Sequence, residues 1–188
     1  MAERILKIGL IGCAGLGKST AAARLSEELG LPFLRSKDIT RPMLKKYGYA
    51  PGVNVEGFLG RREIESEIVR LRLEEEGLLA GGFVTDRTTL ECFCYAFQAL
   101  SSYTPDSLAL LESACRANMA RYTHLFYIPP DAGWIEDNGV RTTSPLFQRA
   151  VDLMIKGVMQ DWGIPVTHVP FEMSNGKTAD FVLSYLRK

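Results

Sequence analysis

A glycine-rich segment near the start of the chain constrains its fold most tightly. Residues 12–19 read Gly-Cys-Ala-Gly-Leu-Gly-Lys-Ser and match the pattern G-x-x-x-x-G-K-[ST]. They follow an apolar run at 5–11 and lead into residues 19–29, whose apolar side chains recur at helical spacing. A glycine-rich turn between a strand and a helix is the context in which this pattern binds phosphate. We therefore predict a phosphate-binding loop built into an α/β fold.

Each residue type in this loop has a chemical purpose. The glycines let the backbone curl so that N–H groups point inward, and the N-terminus of the following helix adds positive potential. We expect Lys18 to reach the β- and γ-phosphates of a bound nucleotide, and the Ser19 hydroxyl to ligate Mg²⁺. The other candidate nucleotide-binding residues are Gly12, Ala14, Gly15, Gly17 and Thr20.

Strand-like and helix-like segments alternate along the rest of the chain. Further strands are predicted at 31–34, 82–85, 124–128 and 165–169. Further helices are predicted at 63–76, 88–100, 105–121, from 144 to about 158, and at 178–186. Five strands alternating with helices indicate a three-layer α/β sandwich with a five-stranded, mostly parallel sheet, the P-loop NTPase fold. Because no repeat or linker interrupts the pattern, we expect residues 1–188 to form one domain.

Composition narrows the classes of partner. The 22 Lys and Arg residues balance 22 Asp and Glu residues, which weighs against a general electrostatic nucleic-acid binder but leaves a local basic groove open. No apolar run approaches the roughly 20 residues that span a bilayer, and the N-terminus lacks a signal-peptide cleavage region. The four cysteines lack the paired spacing of a zinc site. We expect a cytoplasmic protein with no membrane partner and with reduced, mostly buried thiols.

Two charged residues, Asp86 and Arg87, directly follow the third predicted strand. Ligands of open α/β sheets bind at the carboxyl ends of the strands, so both residues should lie beside the phosphates. Asp86 is expected to hold Mg²⁺ through water or to bind a substrate hydroxyl. Arg87 is expected to neutralise charge on the transferred phosphoryl group. The alternative is a surface ion pair at the end of a strand.

A polar, charged stretch at 35–41 follows the second predicted strand, and we expect it to border the same crevice. Asp38 is the candidate general base, because a carboxylate here could take the proton from an acceptor hydroxyl. Arg41 could bind a substrate phosphate or pair with Asp38. An ordinary solvated loop is the competing interpretation.

Two further features bear on the acceptor substrate. The helical segment after Arg87 carries Phe93, Tyr95 and Phe97, and Tyr95 is our candidate contact for an aromatic or amide-bearing ring. Aromatic residues at this spacing also commonly pack in a core. Arg61 opens a helix together with Arg62 and could bind a phosphate of a nucleotide or of DNA, although such pairs often face solvent.

A long connection at about 129–143 follows the fourth predicted strand and lacks the periodicity of a helix or strand. Such loops often serve as lids over an active site. Near its end, Arg141 is predicted to move onto the β- and γ-phosphates as a catalytic arginine. A plain surface loop with a solvated arginine is the alternative.

With these motifs the chain resembles the small P-loop kinases, and most closely the AAA-type single-domain nucleoside and nucleotide kinases. That family includes nicotinamide riboside kinase domains, thymidylate kinase-like proteins and phage hydroxymethylpyrimidine DNA kinases. The resemblance rests on residues 12–19, on Asp-Arg-Thr at 86–88 and on 137–141, which is similar to a D-G-x-R lid. Residues 38–41 match an acidic-x-x-Arg pattern, with aspartate where many members have glutamate.

The resemblance implies Mg²⁺- and ATP-dependent phosphoryl transfer to a hydroxyl or phosphate of a nucleoside or nucleotide. It also implies an alternative acceptor, because phage members phosphorylate the hydroxymethyl group of modified pyrimidines such as 5-hydroxymethyluracil in DNA. A GTPase-like switch is disfavoured, since residues 127–131 read Tyr-Ile-Pro-Pro-Asp where guanine specificity usually requires N-K-x-D. A binding module without catalysis is disfavoured by the intact Lys18 and Arg141.

Overall fold

The computed structural model describes residues 5–48, 62–130, 144–174 and 176–188. Its strands are β1 (Leu6–Ile11), β2 (Phe33–Leu34), β3 (Gly82–Thr85), β4 (His124–Tyr127) and β5 (Thr167–His168). Its helices are α1 (Lys18–Leu29), α2 (Ser36–Lys46), α3 (Arg62–Leu78), α4 (Thr89–Ala96), α5 (Pro105–Met119), α6 (Pro145–Trp162), α7 (Phe171–Ser174) and α8 (Thr178–Leu186). A 3-10 helix, Phe97–Ser102, continues from α4.

The five strands form one sheet in the order β2-β3-β1-β4-β5. Every pairing among them is parallel, which confirms the α/β prediction and sharpens "mostly parallel" to wholly parallel for the described strands. The central strand β1 buries Ile8, Leu10 and Ile11 completely, as expected when helices cover both faces of a parallel sheet. Because all strands run the same way, the segments that follow β1 and β3 meet at one edge of the sheet.

Helix α4 lies at the centre of the helical layer beside that edge. All eight of its residues are buried, and it packs against α3, α5 and α6. Two of the four cysteines, Cys92 and Cys94, lie on this helix. All four cysteines are free and buried, as predicted for reduced thiols.

No helix was predicted at residues 35–41, yet Ser36–Lys46 forms helix α2, so the competing interpretation of an ordinary solvated loop is wrong. Most residues of this helix are polar or charged, and only Ile39, Met43 and Leu44 are buried, which form a narrow apolar face. Pro42 lies inside the helix and lacks the N–H that would bond one turn back. The short helix α7 was also not predicted, and β2 and β5 are shorter than the apolar runs around them.

No helix in the described part of the chain is long and apolar enough to cross a membrane.

Candidate active site

The loop between β1 and α1 has the backbone that a phosphate cradle requires. Gly12, Gly15 and Gly17 have φ values of 152°, 89° and 70°, which residues with a Cβ atom rarely adopt. A Cβ on Gly12 would lie 2.8 Å from the carbonyl oxygen of Ile128, so the loop also packs closely against the end of β4. Helix α1 begins after Gly17 with no side-chain cap, which leaves its first N–H groups available to an anion.

Lys18 folds back across this loop. Its Nζ donates hydrogen bonds to the carbonyl oxygens of Gly12 and Cys13, the latter at 2.6 Å. The same Nζ lies 3.4 Å from Oε1 of Glu91, and the lysine side chain is only 11% exposed. The ammonium group is therefore held at the centre of the loop, where the motif predicts a phosphate contact.

Ser19 and Asp86 come together as predicted from their places at the ends of β1 and β3. The Ser19 hydroxyl donates to Oδ2 of Asp86. The backbone N–H of Ser36, at the start of α2, donates to Oδ1 of Asp86 at 2.7 Å. Asp86 is nearly buried, with 3% of its surface exposed. This carboxylate thus joins the phosphate loop to the first turn of α2.

The paired hydroxyl and carboxylate fit Mg²⁺, which prefers oxygen ligands and usually binds through one or two protein groups, phosphates and water. Ser19 and Asp86 supply such a pair. Within the described ranges, no group of three or more His, Cys, Asp or Glu side chains is arranged to hold a metal ion. The Ser19 hydroxyl and the Asp86 carboxylate thus suit a metal ion that is shared with a phosphate ligand.

Arg87 points toward helix α4. Its guanidinium carbon lies 4.4 Å from the ring centroid of Tyr95, a cation–π contact. Its Nε and Nη2 atoms are buried without a hydrogen-bond partner among the described residues. Burial acts to lower the pKa of Arg87, but nearby acidic groups, including Cys92 and Glu65, outweigh it and raise the pKa. Arg87 therefore carries a positive charge with unused donors inside the protein.

Tyr95 itself is 7% exposed and belongs to the hydrophobic core. Burial raises the pKa of its hydroxyl to about 12, so the phenol stays neutral. Its ring packs against the guanidinium group of Arg87, a contact that the spacing of the aromatic residues did not predict.

Glu91 is a site residue that sequence reasoning missed. It is 2% exposed, and it accepts a hydrogen bond from the N–H of Thr88 at 2.7 Å. Its other oxygen lies 3.4 Å from both the N–H nitrogen of Gly12 and Nζ of Lys18. Burial raises the pKa of Glu91, and the charge of Lys18 opposes that rise. Thr88-x-x-Glu91 is a capping-box pattern, and it is the one local signal that could have pointed to this residue.

Two other buried polar residues support the site and were also missed. Arg72 is fully buried, and its Nη1 donates to Oγ1 of Thr85 at 3.0 Å and to the carbonyl oxygen of Leu34 at 3.4 Å. It thereby links the carboxyl ends of β2 and β3. Gln148 of α6 donates to the carbonyl oxygen of Ala14 at 3.0 Å and fixes the tip of the loop. A lone arginine or glutamine in a helical pattern gives no sign of such contacts.

The remaining predicted residues are not gathered into this arrangement. Asp38 and Arg41 occupy exposed positions of α2, and neither has a side-chain partner in the described part of the chain. Thr20 is exposed in the first turn of α1. Arg61 and Arg141 lie outside the described residues, as does the predicted lid beyond Pro130.

A comparison with protein families gives one match that covers most of the chain. The profile of the AAA domain family matches residues 7–175, which include the glycine-rich loop, Asp86, Arg87 and Glu91.

Among curated proteins, two adenylate kinases are similar to part of the chain. The enzyme of Kocuria rhizophila is 38% identical over 81 residues, which are 41% of this chain and 43% of that protein. The enzyme of Gloeobacter violaceus is 32% identical over 84 residues, which are 43% of this chain and 38% of that protein. The chain thus spans less than half the length of the curated relatives it matches.

Solved structures resemble the whole fold at low sequence identity. A NadR protein in complex with NAD and AMP-PNP has a TM-score of 0.70 at 14% identity, over 98% of this chain and 50% of that one. A deoxyadenosine kinase from M. mycoides scores 0.65 at 15% identity, over 97% and 99% of the two chains. Shikimate kinase from Acinetobacter baumannii scores 0.59 at 16% identity, over 98% and 93%.

Proposed function

This chain belongs to the AAA domain family, and we propose that it is a Mg²⁺-dependent kinase that uses ATP. It would transfer the γ-phosphoryl group to a hydroxyl or phosphate of a nucleoside or nucleotide. The observation that carries this proposal is the junction of Lys18, Ser19 and Asp86 at the carboxyl edge of a parallel sheet. The adenylate kinase relatives and the deoxyadenosine kinase fold support this class of acceptor.

The donor half of the proposed site is the loop and the start of α1. The first N–H groups of α1 and the ammonium of Lys18 would bind the β- and γ-phosphates, because both offer donors and positive potential. Ser19 and Asp86 would hold Mg²⁺, which supplies positive charge next to the phosphate oxygens. Arg141 at the end of the predicted lid is proposed to add a second positive charge in the transition state.

The acceptor half of the proposed site is the region between α3 and α4. The unused donors of Arg87 are buried there. Arg87 lies close enough to Glu65 for the charge of that carboxylate to raise the pKa of the guanidinium. Buried polar groups of this kind are rare in native proteins unless a ligand or water satisfies them. They support a polar acceptor such as a nucleoside or nucleotide.

The acceptor proton requires a base. Asp38 remains our candidate, because it lies in the first turn of α2, two residues from the Ser36 amide that binds Asp86. Arg41, one helical turn further along, and Arg61 are proposed to hold acceptor phosphate. DNA as an acceptor gains no support from the relatives named above. We also propose a cytoplasmic location, since reduced cysteines and ATP both fit that compartment.

The proposal is tested by measuring ADP release with MgATP against a panel of nucleosides, nucleotides, hydroxymethylated DNA and shikimate. We expect turnover with one nucleoside or nucleotide class. Lys18→Ala should lower that turnover by about 10³-fold, because it removes a direct phosphate contact and leaves the core intact. A Lys18→Ala protein with near-normal activity, or slow GTP hydrolysis independent of every acceptor, would refute the proposed function.

A further inference from the structure

The carboxylate of Glu91 lies beneath the phosphate loop in an unusual position. Phosphate sites are normally lined by N–H groups and cations, yet this buried acid lies 3.4 Å from Nζ of Lys18. The same oxygen accepts a hydrogen bond from the Gly12 amide at 3.4 Å. A negative charge at this point repels the phosphates that the loop is built to bind.

The hydrogen-bond inventory of Lys18 shows what this acid does. An ammonium group has three hydrogens. In this structure the Gly12 and Cys13 carbonyl oxygens accept hydrogen bonds from Nζ, and the Glu91 carboxylate faces the same Nζ as an ion pair. A phosphate oxygen that approaches Lys18 must compete with these three groups. Glu91 is the most distant of the three, since Cys13 lies at 2.6 Å and Glu91 at 3.4 Å.

We propose that Glu91 is a positioning residue that competes with nucleotide phosphates for Lys18 and so weakens nucleotide binding. This inference rests on the proposed function in one respect, namely that a polyphosphate occupies the loop. Glu91 holds the lysine at the centre of the loop and gives it up when phosphate enters. It acts through Lys18 and does not touch the nucleotide.

The second oxygen of Glu91 makes the inference testable. It accepts from the Thr88 N–H at 2.7 Å and caps α4. In Glu91→Gln the amide oxygen can keep this cap, whereas the amide nitrogen cannot accept from Lys18. The variant therefore removes the competing charge, together with the acceptor of the Gly12 amide, and retains the shape and the helix cap.

The test is isothermal titration of the full chain with MgAMP-PNP and, separately, with inorganic tripolyphosphate. Glu91→Gln should bind both about tenfold more tightly than the wild type, which corresponds to losing one competing ion pair with Lys18. Glu76→Gln is the matched control. It also removes a fully buried carboxylate, whose partners are Asn118 and Tyr122 at the opposite edge of the sheet, and it should leave both affinities unchanged.

If Glu91 were only a structural cap, Glu91→Gln would bind more weakly or equally well, and either result overturns the inference. A gain with MgAMP-PNP that is absent with tripolyphosphate also overturns it. If Glu91→Gln does not fold, Glu91→Asp withdraws the carboxylate by one methylene, and it should likewise bind more tightly than the wild type. A wild-type chain that binds neither ligand refutes the proposed function itself, a distinct outcome from binding that Glu91 does not affect.

Discussion

Replacing Gly12 by alanine should both destabilise the fold and impair the phosphate loop. The new Cβ would lie 2.8 Å from the carbonyl oxygen of Ile128 and 3.0 Å from Cδ1 of Leu16. The first contact is with backbone, which cannot move aside as a flexible side chain does. The φ of 152° adds conformational strain. Overpacking and strain together predict a loss of about 2–5 kcal/mol in the free energy of unfolding.

Two other glycines separate these two costs. Gly30 has a φ of 65° and open space around its Cβ position, so Gly30→Ala should cost only the strain, about 1 kcal/mol. Gly77 lies inside α3, also in open space, so Gly77→Ala should stabilise the protein by about 0.5–1 kcal/mol. Urea unfolding measures the change in the free energy of unfolding for all three variants. Titration with MgAMP-PNP measures whether the loop still binds nucleotide.

From the most to the least stable, the expected order is Gly77→Ala, wild type, Gly30→Ala and Gly12→Ala. Of the three variants, only Gly12→Ala should lose affinity for the nucleotide. If Gly12→Ala is as stable as Gly30→Ala and binds MgAMP-PNP normally, the loop does not pack against Ile128 as described. Such a result would refute the predicted steric clash at Gly12.

Three further predictions concern single side chains. Asp86→Asn should lower kcat/KM for MgATP by about 10²-fold in a steady-state assay, and unchanged activity would contradict this. The melting temperature should change little, because an amide oxygen can still accept the hydrogen bond from the Ser36 N–H. Burial raises the pKa of the Cys13 thiol, so this thiol should react slowly with iodoacetamide in the native protein at neutral pH. Peptide mass spectrometry measures the alkylation, and rapid alkylation of Cys13 would count against its burial. Burial raises the pKa of the Glu76 carboxyl above 4.5 in the folded protein, so the contribution of this group to stability is present below pH 4.5 and is lost as pH rises through the folded-state pKa. The melting temperature of the wild type, measured relative to that of Glu76→Gln, should therefore fall as pH rises through this range. Melting temperatures of the two proteins that change in parallel with pH would refute the assignment.

The parts of the site that the sequence predicted correctly depend on local order along the chain. The loop at 12–19 is recognisable because its glycines, lysine and serine are contiguous and lie between an apolar strand and a helix. Asp86 could be placed beside Ser19 because parallel strands bring their carboxyl ends to one edge. Both inferences use neighbours in sequence or a general rule of sheet topology.

The residues that were missed depend on contacts between distant segments. Glu91 is 79 residues from Gly12 in sequence, and Gln148 is 134 residues from Ala14. A capping pattern gives the helix start at Thr88 but not the loop that its glutamate reaches. Helix α2 was missed for a different reason, since its buried apolar residues are few among charged ones. Periodicity detects wide apolar faces more readily than narrow ones.

The complete burial of α4 determines which parts of this protein can move. A helix enclosed by α3, α5 and α6 cannot tilt or slide without opening voids on several sides, so it forms a fixed frame with the central strand. Helix α2 differs, because it follows a strand of only two residues and carries exposed side chains along its first turns. Rearrangement around an incoming ligand should therefore begin at the β2 edge of the sheet, and α4 should keep its position while the ligand binds.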